Sequence, residues 1–370
     1  MTKAAELAKM GEVLTNSQIG GRRNIVINGA MQVAQRGTSF SLSGTADTFI
    51  TDRFLISNSD TGAWTASQST DSPTGFSNSL KMDCTTADTS PTFLTLMTRF
   101  EGQDLQHLKK GTSSAEKTTL SFFVKSNKTG TYIAELRDID NNRTIGKAYT
   151  ISSADTWEQK IITFDGDTTG AFGNDNGNSL QIIWYLAVGS VYNSGTLATS
   201  WGSRVNANTA VGQVNLADST DNEWYITGIQ LEVGSQATPF EQRSFGEEQR
   251  LCQRYAIVYS KNGQPNMGDK AIGTGASTNS SGGYQAFIFP QVTMRAVPTL
   301  TVGGSVSDYE ILKYETGYVD VNSSISLFSA SGRSLFVLTF SSATAEAERG
   351  RDVIMRLEGD NSSLLFDSEL

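Results

Sequence analysis

One histidine, two cysteines and six prolines are all that the 370 residues hold of these three residue types. His107 stands without the partners that a catalytic triad or a histidine-rich metal site requires, so it reads as a surface or half-buried side chain. No GxSxG, HExxH or phosphate-loop pattern occurs. Cys84 and Cys252 lie in unlike contexts without CxxC spacing, which excludes a disulfide framework and a structural zinc cluster. Charge is sparse as well: 18% of residues are charged, the formal net charge is −9 and the pI is about 4.8. A nucleic-acid partner is therefore not expected, because no basic stripe exists and the pairs Arg22-Arg23 and Lys109-Lys110 read as solvated surface. No run approaches the ~20 apolar residues of a membrane span. The opening MTKAAELAKMGEVL shows no apolar core or cleavage site of a signal peptide, so synthesis in a reducing cytoplasm is expected. No cofactor is implied, and the chain is not expected to be an enzyme.

What the sequence does hold is glycine, with 35 copies, and Ser/Thr/Asn-rich runs such as TGASTNSSGG from Thr274 to Gly283. Short aromatic and β-branched runs alternate with these, a text that reads as mainly all-β and not as disordered chain. The length predicts roughly two or three domains.

Residues 1–22 form a short helix candidate, with Leu7, Met10, Val13 and Leu14 on one apolar face and Gly11 interrupting it. So short a helix must dock on something, either this chain's own body or a partner. Strand text begins at Asn24-Ile-Val-Ile-Asn and continues through Phe49–Ile56 and Phe93–Met97. In Leu120-Ser-Phe-Phe-Val-Lys, residues Leu120, Phe122 and Val124 share a face. Trp157–Phe164 reads as a strand with Trp157 in the core. Leu180–Val188 is apolar on both faces and reads as a buried central strand. Trp224–Val233 closes the set, so residues 23–240 are predicted to form a sandwich or jelly roll.

At Ser244-Phe-Gly-Glu247 a capping box opens a helix predicted through about Tyr259, inside a connecting segment 241–262. Leu251, Cys252, Tyr255 and Tyr259 would form its packing stripe, suited to the underside of the sandwich or to a threefold axis. Residues 263–370 read as a second β domain, with strands near Tyr284–Phe289, Thr299–Val302, Ile311–Tyr314, Leu335–Phe340 and Val353–Leu357.

The stretch Leu231–Tyr255 (LEVGSQATPFEQRSFGEEQRLCQRY) resembles a junction found in tailed-bacteriophage tail fibres and related virion surface proteins with a carbohydrate-binding-module-like jelly roll. Asn24–Ser39 followed by Thr51-Asp-Arg-Phe resembles the opening of the same module. Leu120–Ser126, Asp155–Lys160 and Met294–Leu300 resemble further parts, so the likeness covers residues 24 to about 300. The resemblance implies a virion component, assembled as a homotrimer, made in the host cytoplasm and displayed on a tail fibre or the particle surface. Its partners would be a phage tail or capsid protein through the N-terminus and a host cell-surface glycan or envelope receptor. The C-terminal domain would be the distal tip. Two alternatives stand beside host attachment: a capsid decoration or head-fibre protein without receptor activity, and a glycan-cleaving tailspike.

Sugar binding requires flat aromatic faces beside hydrogen-bonding side chains. Trp201 and Tyr192, in polar loop text, and Tyr284 and Tyr318, among Ser and Gly, are the candidates. Asp165 and Asp167 lie in a calcium-loop-like run, but the position where an EF-hand needs Glu holds Asn176, so Asx turns are the plainer reading.

Overall fold

The computed structural model describes Lys3 and residues 23–261, 270–278, 282–313, 317–342 and 352–370. The expected anchor residues Leu7, Met10, Val13 and Leu14 lie outside them. Among the described residues the chain is mainly β, in antiparallel sheets, and divides into two compact units at Glu248/Gln249.

In the first unit the strands are β1 (Ser39–Phe49), β2 (Leu55–Ser69), β3 (Ser79–Thr86), β4 (Phe93–Glu101), β5 (Thr118–Ser126) and β6 (Gly130–Asp138). They continue with β7 (Arg143–Ile151), β8 (Glu158–Phe164), β9 (Asn178–Val188), β10 (Gly202–Ser203) and β11 (Glu223–Val233). Their order is β10-β7-β6-β9-β4-β2-β3-β11-β5-β8, with β1 paired along β2. The path folds over at β2, whose Leu55–Ser59 pairs with β4 and whose Ala63–Ser69 pairs with β3. Between these halves Asp60 and Gly62 take positive φ of 49° and 65°, and a Cβ on Gly62 would lie 2.3 Å from the Thr86 carbonyl oxygen. That bend makes one hydrogen-bonded path into two facing layers.

The layers meet in one apolar core. Leu120, Phe122 and Val124 of β5 are all buried, as their spacing predicts. Phe122 meets Trp184 of β9 and Tyr149 of β7 edge-on at 5.8 and 5.1 Å. Trp224 and Ile226 point inward on β11, and then the phase slips by one at Gly228, which has φ 63°. A Cβ there would come 2.7 Å from the Phe76 ring, so only glycine fits the bulge that also turns Ile229 and Leu231 inward. β9 is buried from Ser179 to Val188 between β4 and β6, as expected of a central strand.

Two strand expectations fail in this unit. Asn24–Asn28 is not a strand, because side-chain amides take the place of a ladder. Asn24 Nδ2 donates to the Ile229 carbonyl at 3.0 Å, and its Oδ1 accepts from Val26 and Leu231. Asn28, at φ 60°, donates to the carbonyls of Val33 and Asp52. Phe49–Ile56 is not continuous either. Arg53 at φ 74° turns the chain there, so β1 and β2 form a hairpin.

The capped helix is shorter than predicted. It spans Phe245–Gln253, with Ser244 Oγ accepting from the Glu247 N–H at 3.3 Å. Tyr255 and Tyr259 are therefore not on it, and no four-residue stripe joins them to Leu251 and Cys252. The run Ala256-Ile-Val-Tyr is β-branched and aromatic, and β propensity wins once a ladder partner is present.

In the second unit the strands are β12 (Ala256–Ser260), β13 (Lys270–Ser277), β14 (Gly283–Ile288), β15 (Thr299–Gly303) and β16 (Tyr309–Lys313). The rest are β17 (Gly317–Asp320), β18 (Ser326–Leu327), β19 (Phe336–Ser341), β20 (Asp352–Leu357) and β21 (Ser363–Asp367). β12-β21-β15 form one sheet and β17-β16-β20-β13-β14-β19-β18 the other. Their shared core holds Tyr284, Tyr309, Phe336, Met355 and Phe366, with Phe336 stacked on Phe366 at 4.2 Å. Cys252 and Tyr255 are also buried in this unit, and Tyr259 packs against its core.

Candidate functional site

Strand alternation sends every second side chain of β3, β11, β5 and β8 outward. Because Leu80, Met82, Ile226, Val124, Ile162 and Phe164 face the core, their neighbours of opposite parity face away. The register aligns four of these into one row. Lys81 is opposite Tyr225, and Tyr225 is opposite Lys125. The ladder that pairs Val124 with Glu158 brings Trp157 beside Lys125 at the start of β8.

The row is tightly wired. Trp157 and Tyr225 meet edge-to-face at 6.1 Å. Lys125 Nζ lies 4.2 Å from the centre of the Tyr225 ring and 5.7 Å from that of Trp157, within cation–π range of both. Trp157 Nε1 donates to Asp71 Oδ1 at 3.1 Å, while Asp71 Oδ2 takes the Lys125 ammonium. At the far end Glu223 accepts from Lys81 Nζ at 2.5 Å and from the Tyr225 hydroxyl at 2.6 Å. The hydrogen bond from Lys125 holds the Asp71 carboxyl below its ordinary range. Burial, followed by the hydrogen bond to Glu223, pushes the Tyr225 hydroxyl up. Both carboxylates are thus committed to lysines, and what the row offers is a half-buried indole whose edge is fixed by hydrogen bonding, flanked by charged donors and acceptors. Such a surface is equipped to hold a ligand.

The residues singled out from sequence do not assemble here. Trp201 is half-buried against the first core, its Nε1 donating to the Asp165 carbonyl at 2.7 Å and its ring 5.6 Å from Lys110 Nζ. Tyr192 sits in a one-turn helix, Ser190–Asn193, and packs edge-on against Phe93 at 5.5 Å in a separate cluster. Tyr284 is no surface platform: it is 1% exposed and stacks on Phe340 in the second core. Tyr318 is exposed, with the Arg356 guanidinium 3.2 Å from the centre of its ring. Asp165 pairs with Lys117 at 2.8 Å, and Asp167 with Arg143 at 2.7 Å and Lys110 at 3.1 Å, so cations already occupy the carboxylates read as calcium-like. His107 lies exposed on a 3-10 turn.

Trp157, read from sequence as core, was misplaced in the opposite sense to Tyr284. The signal was present: Trp157 is an odd number of positions from both Ile162 and Phe164, so it cannot share their face in a continuous strand.

A scan of protein-family profiles and a search of curated proteins find no match. Among solved structures, the enzymatically active domain of tailspike protein 4 of bacteriophage CBA120 is 15% identical, with a TM-score of 0.32 over 57% of this chain and 21% of that one. The chain thus spans about a fifth of the length of that tailspike domain. The family 11 carbohydrate-binding module of a Clostridium thermocellum cellulase is 12% identical, with a TM-score of 0.27 over 59% of this chain and 99% of that one. The N-terminal modules of endo-1,4-β-D-xylanase 10B from Clostridium thermocellum are 9% identical, with a TM-score of 0.29 over 52% of this chain and 28% of that one.

Proposed function

We propose that this chain is a virion surface protein of a tailed phage, a non-enzymatic, tail-fibre-type subunit that attaches to host-surface glycan through the Trp157 face of its first unit. The observation that carries the binding role is the outward row Lys81–Tyr225–Lys125–Trp157 with Asp71 and Glu223. Sugar rings present C–H faces that pack on an indole, with hydroxyls around the rim that need fixed donors and acceptors, and this row supplies both. The virion assignment is supported by the resemblance of Asn24–Ser39 and Leu231–Tyr255 to phage fibre segments. The absence of a catalytic motif, and the commitment of Asp71 and Glu223 to lysines, favour adhesion over glycan cleavage. One such face binds weakly, so the reading includes assembly as a trimer, where several faces act together.

The test is binding of the purified protein to immobilised envelope polysaccharide of the host, with phage adsorption measured in parallel. Trp157→Ala is expected to weaken glycan binding by about tenfold, in line with loss of one aromatic anchor, while leaving the melting curve close to wild type. Unchanged binding and adsorption in that variant would overturn the assignment to this face. Antibody labelling confined to the capsid shell would favour the decoration reading instead.

A further inference from the structure

The outer face of the other layer carries a second polar cluster that the Trp157 row does not use. On β6, Glu135 and Arg137 are two positions apart and so share one face, outward of the buried Ala134 and Leu136. β10 pairs with β7 at Arg143 and Thr144 and delivers Arg204 to the same place, with its Nε 3.5 Å from Glu135 Oε1. Glu135 is fully buried and accepts from the Tyr185 hydroxyl at 2.5 Å and from Thr144 Oγ1. Gln181 lies directly across the ladder from Arg137. Tyr192 borders the cluster on the apolar side, packed with Tyr185, Ile133 and Ile183.

The cluster is unbalanced. Two guanidiniums face one carboxylate: Arg204 Nε keeps only the 3.5 Å ion-pair contact with Glu135, and the buried Nε of Arg137 finds no hydrogen-bond acceptor among the described residues. A buried donor without an acceptor is costly, more so when it is charged, so folded proteins rarely keep one without a reason. Burial, followed by the neighbouring charge of Arg204, pulls the Arg137 guanidinium below its ordinary value. For Arg204 burial is the largest influence and acts in the same sense, but the charge of Glu135 and the interactions with Tyr185 together hold that group above its ordinary value. With its Nε 3.5 Å from Glu135 Oε1, Arg204 is the partner of Glu135, and Arg137 is the cation left over. It is half-buried and keeps part of its surface open to solvent.

We infer that Arg137, with Arg204, Gln181 and Tyr192 around it, is a subsite for the carboxylate of an acidic sugar residue. Three features select that chemistry. A guanidinium fork matches a carboxylate in two parallel hydrogen bonds. One surplus positive charge suits a monoanion better than a doubly charged phosphate. Tyr192 and Gln181 supply the ring edge and the amide that a pyranose needs beside its acid group. The inference rests on the reading of the first unit as a glycan binder, but it concerns a different face and a different residue set.

The experiment is calorimetric titration of the full chain with oligogalacturonate, with the uncharged galactose oligomer of equal length, and with free galacturonate. The expected result is binding of oligogalacturonate at least about tenfold tighter than the neutral oligomer, the difference one charge-assisted pair supplies. Arg137→Gln should abolish that preference, and Arg137→Lys should restore only part of it. Since Arg137 Nε has no internal acceptor, Arg137→Gln should melt at or above the wild-type temperature, whereas a purely structural arginine would lower it. Equal affinity for the charged and neutral oligomers overturns the inference, as does a preference that survives in Arg137→Gln. Free galacturonate binding as tightly as the oligomer also overturns it, because the site would then read a small anion only. If the neutral oligomer binds and Trp157→Ala removes that binding, the proposed function stands while the acidic subsite falls. If none of the three saccharides binds, the acidic subsite falls, and the proposed function falls with it only if host envelope polysaccharide fails to bind as well.

Discussion

Trp157 and Asp71 are joined by one hydrogen bond, from the indole nitrogen to Oδ1 at 3.1 Å, across 86 residues of sequence. That bond sets the angle of the only tryptophan on the outward row, and the same carboxylate fixes Lys125 over the neighbouring Tyr225 ring. Asp71 is exposed, so its ion pair with Lys125 contributes little to stability. Asp71→Ala should therefore leave the melting temperature nearly unchanged yet weaken glycan binding several-fold, about 1 kcal/mol, by releasing both ring and ammonium. Asp71→Asn, which keeps an acceptor for the indole, should fall between. Titration of the three proteins with the same polysaccharide checks the order, and equal affinities would show that the ring needs no positioning.

Acid should destabilise the first unit through Asp167. This carboxylate is 3% exposed at its side chain and is held by Arg143 at 2.7 Å and Lys110 at 3.1 Å. Burial opposes its ionisation, but the hydrogen bonds from Arg143 and Lys110 outweigh that and lower its pKa in the folded chain. A carboxyl that is more acidic folded than unfolded stabilises fully above the unfolded value of about 4, and this contribution is lost as pH falls through the folded value. Melting temperature followed from pH 7 down to about pH 3 should drop most steeply below about pH 4, and Asp167→Asn should flatten that fall. At neutral pH Asp167→Ala should cost about 3 kcal/mol, because Arg143 loses its carboxylate while Lys110 retains Asp138 at 2.5 Å. A parallel acid profile in Asp167→Asn would assign the transition to other carboxylates.

What could be read in the sequence was whatever strand period alone dictates. Leu120, Phe122 and Val124 shared the buried face, Leu180–Val188 was central, and Ser244 capped its helix because each of those signals is local. What could not be read was set by partners far along the chain. Asn24 forgoes a ladder because Ile229 and Leu231 come to its side chain, and the helix stops at Gln253 because Ala256–Ser260 finds β21 to pair with. The candidate site divides the same way. The parity of Trp157 was available, but its alignment with Lys125, Tyr225 and Lys81 depends on the register of four strands that sequence does not fix. Tyr284 was misread because Tyr among Ser and Gly suits a contact surface as well as a core edge, and only the stacking on Phe340 decides between them.

Residues 24–28 and 241–248 meet in one hydrogen-bonded clasp, which gives them a structural role. Arg243, 4% exposed at its side chain, donates to the carbonyl oxygens of Asn24 and Val26 and pairs with Glu241 at 3.2 Å and Glu248 at 3.3 Å. Glu248 in turn accepts from the Asn28 N–H at 2.5 Å, and Glu241 from the Asn24 N–H at 2.7 Å. Arg243→Ala should destabilise the first unit by about 3–5 kcal/mol, since it strips one partner from a largely buried charge network. Arg243→Lys should recover little, because a single ammonium cannot reach both carbonyls and both carboxylates. Urea unfolding of the three proteins measures this, and a cost below about 1 kcal/mol for Arg243→Ala would show that the clasp is dispensable.

Thiol reactivity offers a readout of the core itself. Cys84 lies on β3 at 2% exposure, with its Sγ 3.5 Å from the Thr86 carbonyl oxygen. Burial raises its pKa to about 11, so at pH 8 only about one molecule in a thousand carries the thiolate that reacts. Cys252 is fully buried as well. Folded protein at pH 8 should therefore titrate almost no thiol with an aromatic disulfide reagent, and both should appear once guanidinium unfolds the chain. Cys84 and Cys252 lie in different units, so single Cys→Ser variants resolve whether the units open together or separately. In Arg243→Ala the Cys84 signal should rise earlier with denaturant than in wild type, because the clasp belongs to the same unit. Rapid labelling of Cys84 in native buffer would mean that this half of the sandwich opens far more readily than its packed core around Trp64, Met82 and Trp224 implies.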